Sequence, residues 1–247
     1  MILELDLGNT RGKWRTITDD GEVIARGTGS IDAWIAGELP SVWAGAERVR
    51  VGSVLSESTN ALLADRVNAA LGLQAEFATS SSSCAGVRNA YVEPAKLGVD
   101  RWLALVAAFQ SMRSAVLVVD AGSALTVDVA DDNGRHLGGY IVPGARLMES
   151  SLLEGTHRVR FEVGPSESFA FGVSTGECVH NGIVAAQCGV VLVAQRAAEK
   201  QLGHRPALVV SGGGGPQVAD CLTQLGVGDV RLMPDIVLDG LRWALPS

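Results

Sequence analysis

The strongest constraint on the fold is a pattern that occurs twice. An apolar run ends in an Asp-x-Gly turn in "ILELDLGNTRGKW" (2–14) and again in "AVLVVDAGSALTV" (115–127). Two further strand-like runs follow each time, "GKWRTI" and "EVIARGT" in the first case, "ALTVDVA" and "RHLGGYIVPG" in the second. They are separated by "DDG" and "DDNG", which are turn chemistry. One such turn arises easily by chance and reads equally well as a plain hairpin. Two, each closing the first strand of a three-strand meander, imply a duplicated architecture.

Helical patterns fill the rest. "SIDAWIAGEL" opens on a candidate Ser30 cap, a strand "RVRVGSVL" follows, and "ESTNALLADRVNAALG" closes on Gly72. "VDRWLALVAAFQSM" reads as an amphipathic helix ending the first half. In the second half, "ARLMESSLLEG" and a long helix closed by Gly203 precede the strand "PALVVSGGGG" and two closing helices, "PQVADCLTQLG" and "DIVLDGLRWAL". The expectation is an α/β protein of two duplicated halves, 1–113 and 114–247, with mixed sheets flanked by helices.

With 247 residues, 47% of them hydrophobic, the chain has material for a sizeable core. Twenty basic against 27 acidic residues give a net charge of −7 with no basic run, which argues against nucleic acid as a partner. Cys84, Cys178, Cys188 and Cys221 show no metal or redox spacing and read as free thiols of a reducing, cytoplasmic protein. The start, Met1-Ile2-Leu3-Glu4, is unlike a signal peptide. The most apolar stretch, 182–196, is broken by Gln187 and falls short of the roughly 20 residues of a membrane span, so no membrane is expected. His136, His157, His180 and His204 sit in no catalytic spacing, and the five tryptophans read as core or interface residues.

Glycine turns let backbone N–H groups approach an anion. In the first, Asn9, Thr10 and Lys13 could meet phosphate oxygens while Asp6 holds magnesium through water. In the second, Ser123 and Thr126 stand beside Asp120. A third glycine cluster, "SGGGG" (211–215), lies between a strand and a helix and lacks a P-loop lysine. Together the three turns point to a nucleotide held between two related halves.

These motifs resemble the acetate and sugar kinase, heat-shock ATPase and actin superfamily, and within it the type III pantothenate kinases. The resemblance spans nearly the whole chain: "DLGNTRGKW" for the first phosphate motif, "YVEPAKLGVDRW" for the acceptor motif, "DAGSALTVD" for the second phosphate motif, "GGYIVPG" for the dimer interface and "SGGGG" for adenosine. It implies two ribonuclease H-like, actin-like ATPase halves and transfer of the ATP γ-phosphoryl to pantothenate. It also implies a homodimer, Mg2+, and a monovalent cation, K+ or NH4+. By it, Asp100 is the proton acceptor, and Tyr91, Gly98, Val99, Asp100, Arg101 and Thr175 contact pantothenate, Thr175 by way of the dimer. ATP falls to Asp6, Leu7, Gly8, Asn9, Thr10, Arg11, Gly12 and Lys13, with Ser123, Gly212 and Gly213; Asp120 binds the monovalent cation. Serines at 123 and 211 replace the family's more usual threonines and keep the hydroxyl. A guanidinium suits a carboxylate, which makes Arg101 the candidate partner for the acid end of pantothenate. Two other readings are a kinase of another small acceptor on the same fold and a non-catalytic, ATP-binding accessory of transcription. Retention of Asp6, Lys13, Asp100, Arg101 and Asp120 argues for chemistry.

Overall fold

The computed structural model describes residues 1–9, 11–155 and 171–246. The chain forms two compact units, Met1–Ala107 with Asp235–Ser247, and Ala108–Pro234.

The first unit is built on a five-stranded sheet of β1 (Ile2–Leu7), β2 (Gly12–Ile17), β3 (Val23–Gly29), β4 (Arg48–Ser53) and β5 (Ala75–Phe77), in the order β3-β2-β1-β4-β5. The meander β1–β3 is antiparallel, whereas β4 runs parallel to β1 and β5 parallel to β4. A two-stranded ribbon of β6 (Ser83–Cys84) and β7 (Val87–Arg88) stands apart. The second unit repeats the plan with β8 (Val116–Ala121), β9 (Ala124–Ala130), β10 (His136–Pro143), β11 (Ala207–Ser211) and β12 (Val230–Leu232), in the order β10-β9-β8-β11-β12 and with the same strand directions. The duplication expected from the two Asp-x-Gly turns is therefore realised strand for strand.

Helices α1 (Ile31–Ala36), α2 (Glu57–Leu71), α3 (Val99–Met112), α4 (Ala145–Gly155), α5 (Thr175–Leu202), α6 (Gly215–Gln224) and α7 (Ile236–Ala244) complete the chain. Ser30, Ser56 and Ser174 cap α1, α2 and α5 by accepting a backbone N–H three residues on, and Gly37, Gly72 and Gly203 end them in the left-handed conformation. Helix α3 departs from expectation. It is not amphipathic in place, because Trp102 through Phe109 are all buried, as befits a helix surrounded by core. The packing also divides the chain differently from the expected cut after residue 113. Residues 108–113 fall in the second unit, while α7 packs on β1 and β4 of the first.

Central strand β1 is buried on both faces, but with opposite chemistry. Leu3, Leu5 and Leu7 face a core with Trp34 and Trp43, whose rings meet edge-on at 5.1 Å between centroids. On the other face Glu4, fully buried, accepts from Arg15 Nε at 2.7 Å and Arg50 Nη1 at 3.4 Å, and Arg15 reaches on to Asp239 of α7 at 2.6 Å. A buried carboxylate is tolerated only with such partners.

The second unit's core joins β8, β9 and β11 to α5 and α6. Helix α5 runs for 28 residues and is long and apolar enough to cross a membrane by length and composition, with a mean hydropathy of 1.4 over its most apolar window. The expectation of too short a segment counted only 182–196 and is corrected. One face of α5, with Gln187, Cys188, Val191, Ala194, Gln195 and Ala198, is buried in the unit. Cys188 is joined to Cys221 of α6 by a disulfide, Cα atoms 6.7 Å apart, which corrects the reading of both as free thiols; Cys84 and Cys178 are free. Thirty-three residues separate the pair, and only the packing of α6 on α5 brings them together. His136 is buried, its Nε2 at 2.9 Å from Asp128 Oδ1, as a satisfied structural histidine. His157 lies outside the described residues.

Candidate active site

Alternation along paired strands places Asp6 and Lys13 directly opposite each other on β1 and β2, one step beyond Glu4 and Arg15 on the same face. The connection is closed by Gly8 N–H donating to Arg11 O at 3.2 Å. Asn9 and Arg11 are exposed; Thr10, assigned to ATP from the sequence, lies outside the described residues. Gly12 has a packing reason of its own. A Cβ there would run into Trp34 Cζ3 and lie 2.5 Å from Trp34 Cη2, and at its register partner Gly29 a Cβ would lie 2.6 Å from Trp34 Nε1. The indole is thus laid across two glycines at the end of the sheet, under the Asp6–Lys13 turn. Trp34, expected as a core residue, is 3% exposed, and the pair of glycines facing it is what lets it lie there.

The acceptor motif is a loop followed by the start of α3. Asn89 organises the loop, donating to Ser81 O and Pro94 O and accepting from Tyr91 N–H at 3.0 Å. Arg101 is 8% exposed, its Nη1 donating to the Tyr91 hydroxyl at 3.1 Å and its guanidinium 6.0 Å from the Tyr91 ring centroid. Asp100 turns its carboxylate back onto the helix start, where Oδ1 accepts the Arg101 N–H at 2.8 Å. A Cβ on Gly98 would lie 2.7 Å from that oxygen, so the glycine leaves room for the carboxylate. Val99 opens α3. Helix α3 is seated by Leu103, whose Cδ1 would be 2.8 Å from a Cβ on Gly52, the register partner of Asp6. Asp100 therefore belongs to a helix that packs on β4, the strand paired with Asp6 on β1, within the first unit.

In the second unit Asp120 stands opposite Thr126 on β9 and Ser211 on β11. Gly122 N–H donates to Ala124 O at 3.0 Å, leaving Ser123 at the tip of the turn. Two glycine segments close on it. Gly214 N–H donates to Ala121 O at 2.9 Å, and a Cβ on Gly212, at φ +86°, would sit 2.5 Å from Asp120 Oδ1. On the other side Gly144 N–H donates to Ser123 O at 3.0 Å, and a Cβ there would strike Gly122 O. Asp120, Ser123 and Gly212 are thus brought together, with Gly213 beside them and open space where its Cβ would be. Gly144, read from the sequence as the end of the dimer-interface motif, packs instead against the Ser123 turn. Thr175 stands exposed in the first turn of α5, where Ser174 supplies the cap.

Magnesium carried with a nucleotide asks for one or two carboxylates, with waters and phosphates for the rest. Asp6, closing β1 beside a glycine turn, fits that donor set. Among the described residues no cluster of three His, Cys, Asp or Glu side chains forms an all-protein metal cage.

Comparison with known proteins agrees with this construction. The chain is 38% identical over 251 residues to a type III pantothenate kinase of Pseudomonas aeruginosa strain LESB58, covering 100% of this chain and 99% of the relative. Among solved structures, a Campylobacter jejuni protein described as a Baf family transcriptional activator aligns with a TM-score of 0.60 at 21% identity, over 97% of this chain and 95% of its own. A Sinorhizobium meliloti protein described as a 2-dehydro-3-deoxygalactonokinase aligns at 0.59 and 14%, over 100% of both chains. These two likenesses speak to the fold, that of actin-like ATPases and sugar kinases. The family model for type III pantothenate kinases matches residues 2–197. On that match and the full-length identity, the chain belongs to the type III pantothenate kinase family.

Proposed function

We propose that this chain transfers the γ-phosphoryl of ATP to the primary hydroxyl of pantothenate, giving 4'-phosphopantothenate for coenzyme A, with the residues in the following roles. Asp100 orients the hydroxyl and takes its proton as the bond to phosphorus forms. Phosphoryl transfer passes through a loose transition state, so alignment and charge stabilisation dominate, and a strongly basic group is unnecessary. Lys13 and the turn from Asp6 through Gly12 meet the phosphates of ATP, and Ser123, Gly212 and Gly213 are further ATP contacts. Asp6 would hold magnesium through water, and the ion would supply neutralisation of charge on the transferring group.

Tyr91 and Arg101 bind the acceptor as a pair: the hydrogen bond between them fixes the guanidinium, which is best shaped for the pantothenate carboxylate. Gly98 and Val99 complete that contact, and Thr175 adds one from a second subunit. Asp120 would hold K+ or NH4+. The observation that supports these assignments is the packing of Leu103 of α3, one turn on from Asp100, on Gly52 of β4, the register partner of Asp6.

The homodimer rests on an apolar groove of about 590 Å³ along β10 and α5, lined by Gly139, Tyr140, Ile141, Ala186, Gly189 and Val193 among others. Ile141 and Val193 are about 60% exposed there, unusual for side chains of that kind on an isolated subunit. The groove lies on the "GGYIVPG" strand, and a second copy of the chain is its proposed occupant. A cytoplasmic location completes the reading. The likeness to a protein described as a transcriptional activator concerns the fold, so it does not favour a regulatory role over catalysis.

The decisive experiment follows ATP consumption by the purified protein with potassium and magnesium, with and without pantothenate, and identifies the product by mass. Pantothenate-dependent phosphopantothenate is expected; no turnover by folded, dimeric protein would overturn the reading.

A further inference from the structure

We infer that helix α7, which follows the second unit in sequence and lies beyond the residues matched by the family model, is a working part of the acceptor site, and that Gly240 is the positioning residue through which it sets α3. The inference rests on the reading of Asp100 and Asp6 given above.

Two adjacent residues of α7 hold the two elements that carry those carboxylates. A Cβ on Gly240 would lie 2.7 Å from both the carbonyl carbon and the Cβ of Leu103, and closer still to Leu103 O. The helices therefore touch through backbone, and Leu103 is one turn on from Asp100. Its neighbour Asp239 accepts from Arg15 Nη1 at 2.6 Å, and Arg15 donates to the buried Glu4 at 2.7 Å. Glu4 and Arg15 are two residues from Asp6 and Lys13 along the same strands. Leu103 also reaches Gly52, where its Cδ1 would be 2.8 Å from a Cβ and Leu241 and Val237 of α7 lie within 4 Å. The helix that carries Asp100 thus meets both Gly240 of α7 and Gly52 of β4, and α7 is tied by charge to the strands that carry Asp6.

A glycine inside a helix costs roughly 1 kcal/mol relative to alanine, so Gly240 works against the helix it sits in. The gain is the close approach to Leu103. Because the obstacle to a Cβ is backbone, no side-chain rotation relieves it, and Gly240→Ala must push α3 and α7 apart. A displacement of about 1 Å at a catalytic group can lower turnover about 100-fold.

The test measures kcat, both KM values and the folded fraction for the wild type, Gly240→Ala, Asp239→Asn and Asp100→Asn. Expected for Gly240→Ala is a kcat per folded molecule reduced about 10- to 100-fold and a raised KM for pantothenate, with KM for ATP within about twofold of wild type. Asp239→Asn adds no volume and unpins α7, so it keeps the inference testable should the alanine variant fail to fold; a smaller change of the same pattern is expected. Wild-type kcat per folded molecule and unchanged KM values in either folded variant would overturn the role of α7. Undiminished turnover in Asp100→Asn would instead overturn the underlying reading of the site, whatever the α7 variants do.

Discussion

Single residues in this chain carry two kinds of demand. Asp100, as the proposed base, answers to chemistry, and Asp100→Asn, which keeps its size, is expected to lower kcat about 10²- to 10⁴-fold while leaving nucleotide and pantothenate affinity near wild type, as stopped-flow and equilibrium binding would measure. Gly12 answers to packing as well as to its place in the phosphate turn. Its substitution by alanine must lift Trp34, and overpacking of that kind costs about 1 to 3 kcal/mol, readable in a urea titration followed by tryptophan fluorescence. Trp34→Ala in the same titration is expected to cost about 3 to 5 kcal/mol, because it empties a site between two glycines and Trp43. The residue types of the site were legible in the sequence, because turn chemistry and the acceptor motif are local. Trp34 and Gly12 show no local sign of each other; their contact depends on α1 folding back over β2 and β3.

Among the elements, the meanders were the most legible, since alternation and Asp-Gly turns write an antiparallel ribbon directly into the chain. Helix α3 was legible as a helix but not as a buried one, because an apolar stripe does not reveal how many neighbours will close around it. The end of α5 offers a test of local electrostatics. His204, just past Gly203, places Nε2 at 2.8 Å from Asp132 Oδ2. The hydrogen bond to Asp132 raises the imidazole above its ordinary value of 6.5. The Ala115 N–H, then His204, lowers the Asp132 carboxyl below its ordinary 3.8. The histidine's share of stability is complete below about pH 6.5 and fades as pH rises through its raised value. The carboxylate's share is complete above about pH 4 and is lost on acidification. His204→Gln should therefore lower Tm slightly near pH 5 to 6 and not at pH 9. Both groups are exposed, so the effect is small, and 1 M salt should reduce it.

At the scale of the molecule, the apolar face on β10 and α5, the proposed contact with a second copy, is where a charge tests that contact with least harm to folding. Ile141→Glu or Val193→Glu is expected to yield monomer by sedimentation, with the thermal transition retained and turnover lost if Thr175 completes a neighbour's acceptor site. An active monomer would remove the shared site. The duplication was legible because each half announces itself with the same turn; the destination of α7 was not, since nothing within residues 236–244 says which sheet it will cover. That destination bears on how the protein is made. A ribosome delivers α7 only after every residue of the second unit, so residues 108–234 have all of their own sequence in hand first. The first unit, begun earlier, waits with the floor under Leu103 and the Asp239 partner of Arg15 missing. Domains usually fold in the order in which they are synthesised. Here the half that starts first is the half that finishes last, and a stalled or prematurely ended chain holds a complete second unit beside an unfinished first one.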